Sequence, residues 1–376
     1  MGRQNRTRQK KIKYCDYSLF FLVIFLLGFG LVMLYSVSAY NSQDKFGNPL
    51  YYLKRQGLAM ILGVIAMIVI SKIDYHVWIH FGNLAYLIAI VLCTVVIFIN
   101  DKKHGSARWL PLGPLSFQPS ELAKLAMILF LAGIVCRIPK QIGKFSNLLK
   151  VMAMVVPIFI IVAIANLSTA IIIMGIAIVV TFVASPKIWQ FVVMGVSGIL
   201  GGGVLFILAA SYRMDRIEIW LHPEDDPTDK GFQTLQGLYA IGSGGLFGKG
   251  LGQSMQKLGF LPEAQNDMVF SIICEELGLF GAFCVIMLFL LMIWRLMVIA
   301  NNAADLYGTL IVSGIMAHIA IQVILNIAVV TNTIPNTGIT LPFISYGGTA
   351  TSFLLAEMGL ALSVSRGIRL EGSSHD

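Results

Sequence analysis

The sequence predicts an all-α polytopic membrane protein: about ten transmembrane helices, with one long extracytoplasmic loop between helices 7 and 8. Three observations predict it. Of 376 residues, 57% are hydrophobic and only 12% charged, where a soluble domain carries about 25% charged residues; mean hydropathy is +0.81. Apolar windows of about 20 residues, each long enough to cross a bilayer as a helix, recur along the chain. The acidic residues are also unevenly placed: 8 of the 19 (Asp215, Glu218, Glu224, Asp225, Asp226, Asp229, Glu263 and Asp267) lie between Tyr212 and Asp267. A long loop that gathers the carboxylates of a membrane protein points to function, because long ordered loops more often bind or catalyse than merely connect.

The elements follow in order. A basic tail, 1–16, holds six of the 27 Lys and Arg residues in its first 13 positions. The first span, 17–39, is too long for the apolar core of a signal peptide and has no small-residue cleavage site, so it reads as a retained helix. Further spans are expected at 55–73, 77–99, 119–136, 148–165, 168–184 and 188–210, completing a block of seven helices over 17–210. Short hairpins fall around Asn166 and Pro186. The loop occupies 211–267. Spans at 268–294, 305–330 and 344–365 complete a second block, 268–366, and a polar tail, 367–376, ends the chain. With the N-terminus inside, inner segments carry about 15 basic residues, among them Arg137, Lys140, Lys144 and Lys150, against about 6 in the short outer loops. Both termini are therefore expected in the cytoplasm of a multi-pass protein of a bacterial cytoplasmic membrane, with the long loop outside. The same asymmetry explains the net charge of +8 as topological and argues against nucleic-acid binding. Five cysteines without a CxxC pair (Cys15, Cys93, Cys136, Cys274 and Cys284) indicate neither a disulfide framework nor a zinc site.

Charges inside spans are costly and tend to mark function. Glu121 and Lys124 open the fourth span in QPSELAK, where Pro119 suits a first helical turn and Glu121 suits the N-terminal dipole. At i and i+3 they share a face, either as an ion pair against a neighbouring helix or as a pair that also faces a polar cavity. In the eighth span Asp267, Ser271 and Glu275 step by four along one stripe; Glu275 and Glu276 can equally pair with bases that hold helices together. Asp267 itself can be an ordinary helix N-cap, as can Asn266. Arg108, in a loop rich in proline and glycine, can hold a phosphate or anchor the chain at the interface. NTIPNTGITLPFISYGGTA, from Asn332 to Ala350, has two prolines and three glycines and cannot be a plain helix. It fits a re-entrant segment or an outer loop.

Four stretches in this order, GSARWLPLGPLSFQPSELAK, YRMDRIEIWLHPEDDP, GFQTLQGLYAIGSGGLFGKGLGQSMQKLGFLPEAQND and NTGITLPFISYGG, resemble the SEDS family (shape, elongation, division and sporulation), nearest its division-type members. The resemblance covers nearly the whole chain outside the tails. It implies a peptidoglycan glycosyltransferase that joins lipid II units at the outer membrane face, working with a class B penicillin-binding transpeptidase and other division proteins. It implies Asp267 as the catalytic residue, and Glu121, Lys124, Arg108, Glu263, Ser345 and Tyr346 as substrate-binding. It leaves room for a divalent cation, magnesium or manganese, and for no organic cofactor. Two departures stand out. Gln265 occupies a position where the family usually has His, and Ala165-Asn166-Leu167-Ser168-Thr169 replaces a PDxGT-like stretch with an acidic residue.

The chemistry implied suits these residue types. A carboxylate can take the proton of the acceptor 4-hydroxyl as it attacks the donor's anomeric carbon. Cations can stabilise the departing diphosphate. Two other classes fit the same sequence: a lipid II flippase using its intramembrane charges as a relay, and a non-catalytic scaffold of the septal machinery. No inverted repeat is visible, and the carboxylates crowd one end, which favours the polymerase. The eighth span also carries Phe280, Phe283, Phe289 and Met292, an apolar face suited to a single-span partner helix.

Overall fold

The computed structural model describes residues 15–98, 109–112, 115–196, 218–225 and 230–368. It is a helix bundle whose order follows the predicted spans. α1 (Tyr17–Phe46), α2 (Tyr51–Lys72), α3 (Trp78–Phe98, entered through a 3-10 turn at Tyr75–Val77), α4 (Pro119–Arg137), α5 (Phe145–Ala165) and α6 (Leu167–Ala184) come first. α7 begins at residue 189 and is described as far as 196. α8 (Val269–Asn301), α9 (Leu306–Val330) and α10 (Gly348–Ser365) close the chain. Among the described residues eight helices are long and apolar enough to cross a membrane: α1 to α6, α8 and α9. α10, with Glu357 buried in its length, packs beside them along α2.

Local chemistry sets the helix ends. Asp16 caps α1 by accepting from the Leu19 N–H at 2.9 Å, and Gly47 ends it in a left-handed turn. Pro119 sits in the first turn of α4 and Glu121 beside its positive end. Asn166, where the family pattern has an acidic residue, caps α6 through the N–H groups of Ser168 and Thr169. Asp305 caps α9.

Burial ranks the helices. Buried residues make up 72% of the apolar window of α4 and 67% of that of α9, against 28% for α2 and α3. α4 and α9 thus form the centre, in contact with each other and with α6, and α2 and α3 lie at the rim. Large apolar side chains on the rim, such as Phe21, Ile61 and Leu87, face outward, as expected where lipid is the solvent.

Two features were not expected from sequence. Leu110–Leu112 and Leu115–Phe117 pair as a small antiparallel ladder leading into α4. Within the long loop, Lys230–Gly244 is a helix that packs along the start of α8, with Gly237 beside Ser271. Several boundaries move: α1 and α8 run to Phe46 and Asn301, beyond the expected 39 and 294, and α10 starts at Gly348 rather than 344. The second half of the expected seventh span and residues 211–217 of the loop lie outside the described residues.

Candidate functional site

The site is built around the stretch that leads into α8. Asp267 is buried at 8% exposure and lies just before that helix, whose N-cap is Met268, with no side-chain capping bond. Asp267 thus stands one residue before the N-cap position that the cap reading gave it. Backbone bonds help to fix its position. Asn326, buried near the end of α9, donates through Nδ2 to the Asp267 carbonyl at 2.8 Å and to the Ile339 carbonyl at 2.7 Å. The Tyr346 N–H donates to the Gln265 carbonyl at 2.9 Å.

These bonds bring the proline- and glycine-rich segment between α9 and α10 against Asp267. That segment is non-helical from Asn332 to Gly347, and Leu341, Phe343, Ile344 and Ser345 are buried. Its chain reaches roughly the middle of α1, where a Cβ on Gly30 would lie 2.5 Å from the Phe343 carbonyl oxygen. Only a glycine admits so close an approach. Of the two readings of the segment, the re-entrant one fits, since irregular backbone at that depth must be buried in protein.

Lys124 is 2% and Glu121 6% exposed. They form an ion pair of 2.9 Å, and Lys124 Nζ also donates to Gln322 Oε1 at 3.2 Å. Gln322 donates in turn to the Thr340 carbonyl at 3.0 Å, in the same re-entrant segment. His318, Gln322 and Asn326 step by four along α9 and so share one stripe. Gln322 holds Lys124 and Asn326 holds Asp267, so the two attachment points are one turn apart, about 6 Å along the helix. The stripe was missed from sequence. Its signal is an imidazole and two amides at spacing four in Leu306–Val330, whose other polar side chains are all hydroxyls.

The remaining expected site residues divide. Tyr346 joins the site: its ring packs edge-on to Tyr52 at 4.9 Å. Arg55, also missed, is an exposed cation on this flank, stacked over Tyr51 at 4.7 Å. Ser345 is buried but serves its own turn, accepting from the Leu341 N–H at 2.8 Å. Glu263 is exposed, adopts a left-handed φ of 51° and accepts from Asn266 Nδ2 at 2.5 Å within the same turn. Arg108 lies outside the described residues.

Glu275 and Glu276 are drawn away from the site. Glu275 pairs with Lys249 at 2.7 Å and also accepts from Ser254; Glu276 pairs with Lys257 at 2.7 Å and accepts from Ser36 Oγ at 2.7 Å. They anchor the glycine-rich run 245–257, so the expected pairing with bases is present but ties a loop, not a second helix, to α8. α8 is interrupted just beyond them at Gly278 (φ 70°, ψ −169°). There the loop backbone substitutes for helix bonds: Lys249 and Gly250 N–H groups donate to the Glu275 and Glu276 carbonyls, and Leu279 and Phe280 N–H groups to those of Gly245 and Leu246. The expected stripe from Asp267 to Glu275 is therefore two separate polar sites. On the apolar side of α8, Phe280 and Phe283 are exposed but Phe289 and Met292 are buried; the last two belong to the core and not to an outer face.

Among the described residues no group of three or more His, Cys, Asp or Glu side chains is placed to hold a metal ion. A divalent ion held by three or more such side chains therefore has no cage among those residues.

Comparisons with known proteins cover nearly the whole chain. The family model described as cell cycle protein, spanning FtsW, RodA and SpoVE, matches residues 17–369. Stage V sporulation protein E of Bacillus subtilis (strain 168) is 43% identical over 355 residues, covering 93% of this chain and 97% of that protein. The probable peptidoglycan glycosyltransferase FtsW of Geobacter sp. (strain M18) is 35% identical over 364 residues, covering 96% and 99%. Among solved structures, a chain of a peptidoglycan synthase complex that coordinates polymerization and crosslinking superposes with a TM-score of 0.76 at 25% identity, covering 95% of this chain and 99% of that one. The rod shape determining protein RodA of Thermus thermophilus superposes with 0.68 at 26% identity, covering 95% and 98%. With a family match along its length and curated relatives well above 30% identity, the chain belongs to the FtsW/RodA/SpoVE family, the SEDS proteins.

Proposed function

We propose that this chain is a peptidoglycan glycosyltransferase that polymerises lipid II at the outer face of the cytoplasmic membrane; its FtsW relatives, named as probable peptidoglycan glycosyltransferases, support the activity. The observation that carries the reading is the convergence on α9: Asn326 holds the backbone of Asp267 while Gln322, one turn away, holds Lys124. That places a buried carboxylate and a buried ammonium at one end of the bundle, beside a re-entrant segment. A single base and a single cation are what an inverting glycosyl transfer needs.

In this mechanism the acceptor 4-hydroxyl gives its proton to the Asp267 carboxylate as its oxygen bonds to the donor's anomeric carbon. The bond from that carbon to the diphosphate oxygen breaks, and the electron pair leaves on the diphosphate. Attack opposite the departing group inverts the centre, and no covalent intermediate is required. Lys124 stabilises the developing negative charge, with Glu121 fixing its ammonium from the other side. A divalent ion on the diphosphate would supply further charge neutralisation. A class B penicillin-binding transpeptidase is the proposed partner, with its membrane helix against the exposed Phe280 and Phe283. Septal synthesis during division is the proposed setting.

Asp267→Asn tests the base. Met268 is the N-cap, so the variant should fold and melt as wild type does. Its polymerisation of labelled lipid II in detergent should fall by roughly 100-fold or more, the usual worth of a positioned base. Raising magnesium or manganese should not restore it; restoration would assign Asp267 to a metal instead. Wild-type polymerisation by the variant would remove Asp267 from the mechanism. A flippase, by contrast, would make no glycan in detergent at all.

A further inference from the structure

Behind Lys124 the stripe on α9 continues into the centre of the bundle. His318 Nε2 lies 2.9 Å from Gln322 Oε1, and His318 Nδ1 lies 2.8 Å from Glu357 Oε2 of α10. His318 is 1% exposed and Glu357 0%. A carboxylate in that position has no solvent to stabilise it, and an uncompensated buried charge is strongly unfavourable.

The hydrogen bonds decide where the protons are. Gln322 Nε2 donates to the Thr340 carbonyl. A carbonyl only accepts, so the amide cannot be flipped, and Oε1 faces Lys124 and His318. An ammonium only donates, and so fills one side of Oε1. His318 must fill the other with a proton on Nε2. The 2.8 Å contact of Nδ1 with Glu357 is then a hydrogen bond only if a second proton lies between those two atoms. Whether it is an imidazolium facing a carboxylate or an imidazole facing a carboxylic acid, the pair holds one proton and has no net charge. Glu121 and Lys124 cancel as well, so the four ionisable groups are neutral together.

The other charged groups on the packed helices have partners or lie toward helix ends, and the uncharged titratable side chains between the ends include Tyr35 of α1 and Cys274 and Cys284 of α8. α6 has none. α2 carries Lys54, Arg55 and Lys72 near its ends, α1 has Asp44 and Lys45 near its C-terminal end, and α4 closes with Cys136 and Arg137. Tyr307 and Asp305 lie at the start of α9. On α8, Glu275 and Glu276 are paired with Lys249 and Lys257, and Arg295 with Asp16.

We propose that Gln322, His318 and Glu357 form a positioning unit for Lys124, in which Gln322 aims the ammonium and the proton shared by His318 and Glu357 keeps the cluster neutral, so that the charge of Lys124 stays available to the leaving diphosphate. The proposal rests on the reading of Lys124 as the counter-ion of that diphosphate. None of the three residues touches substrate; all act through Lys124.

Glu357→Gln is the informative change. Its amide N–H can donate to His318 Nδ1, so the hydrogen bond survives while the titratable proton disappears. Two profiles against pH are measured on wild type and variant: melting temperature in detergent, and kcat on lipid II. Wild type should show an ionisation in both that Glu357→Gln lacks, with kcat within about 3-fold of wild type at the wild-type optimum. Gln322→Leu should lower kcat about 10-fold or more and leave KM within about 2-fold. Should Glu357→Gln not fold, the double change His318→Leu with Glu357→Leu removes the pair as a neutral unit and should fold, lack the same ionisation and lower kcat, because Gln322 Oε1 loses the His318 N–H that holds it toward Lys124. The proposal is overturned if Glu357→Gln and wild-type profiles superimpose, if Gln322→Leu keeps wild-type kcat, or if neither pair variant folds, which would make the pair a structural staple. The melting profile decides the proton even if the enzyme makes no glycan, so failure of the polymerase reading is seen separately.

Discussion

Lys124, at 2% exposure, lies between two neighbours that satisfy its amine, Glu121 as an ion pair and Gln322 through an amide oxygen. Half of that arrangement is legible in the sequence, since an i, i+3 pair on one helix needs no tertiary information. Gln322 is not, because its contact spans 198 positions and depends on how α4 and α9 pack. Asp267 is legible as a candidate but not as a non-cap: a one-residue shift of the helix start to Val269 makes Met268 the cap, and helix starts are uncertain by that much from sequence alone. Glycine gives a sharper residue-scale prediction. Gly248 has φ +77°, and a Cβ there would overlap the Glu276 carbonyl. Gly248→Ala should cost about 1–3 kcal/mol, as overpacking does, read as a lower melting temperature and faster proteolysis within 245–257. Gly28, whose Cβ would meet nothing within 4 Å, should accept alanine with no such loss.

At the scale of elements, the spans are legible because lipid demands long apolar helices. The interruption of α8 at Gly278 is not, since apolar composition runs on through it and only the loop backbone at 245–250 replaces the missing bonds. The loop helix Lys230–Gly244 escapes a search for spans for the opposite reason: it is short and of mixed polarity. The division of α8 into core and outer face follows from packing. Phe280 is 63% and Phe283 58% exposed, whereas Phe289 is 1% and Met292 0%. Replacing Phe280 and Phe283 by Ala should therefore weaken co-purification of a transpeptidase partner while barely changing the melting temperature. Phe289→Ala should instead lower stability by about 3–5 kcal/mol, the cost of emptying a buried aromatic site. If co-purification is lost only when α1 is altered, the partner docks elsewhere.

For the molecule as a whole, the charge asymmetry of the short loops predicts one orientation. Glu224 and Lys144 are both exposed and are expected on opposite sides of the membrane. In a background without the five native cysteines, Glu224→Cys should react from outside intact cells with a membrane-impermeant maleimide, and Lys144→Cys should react only after lysis. The reverse pattern would place Asp267 on the cytoplasmic side and end the polymerase reading.

The pairing of Glu275 and Glu276 with Lys249 and Lys257 also bears on biogenesis. A charge within a membrane helix raises the cost of entering the bilayer, by up to about 2.5–3.5 kcal/mol at the helix centre, and this helix brings in two adjacent carboxylates in its second turn. Both lysines precede both glutamates in the chain, so each countercharge leaves the ribosome before the carboxylate it will neutralise. The run 245–257 thus carries both countercharges ahead of the helix that needs them, and the order of synthesis matches the order in which the charges must be neutralised.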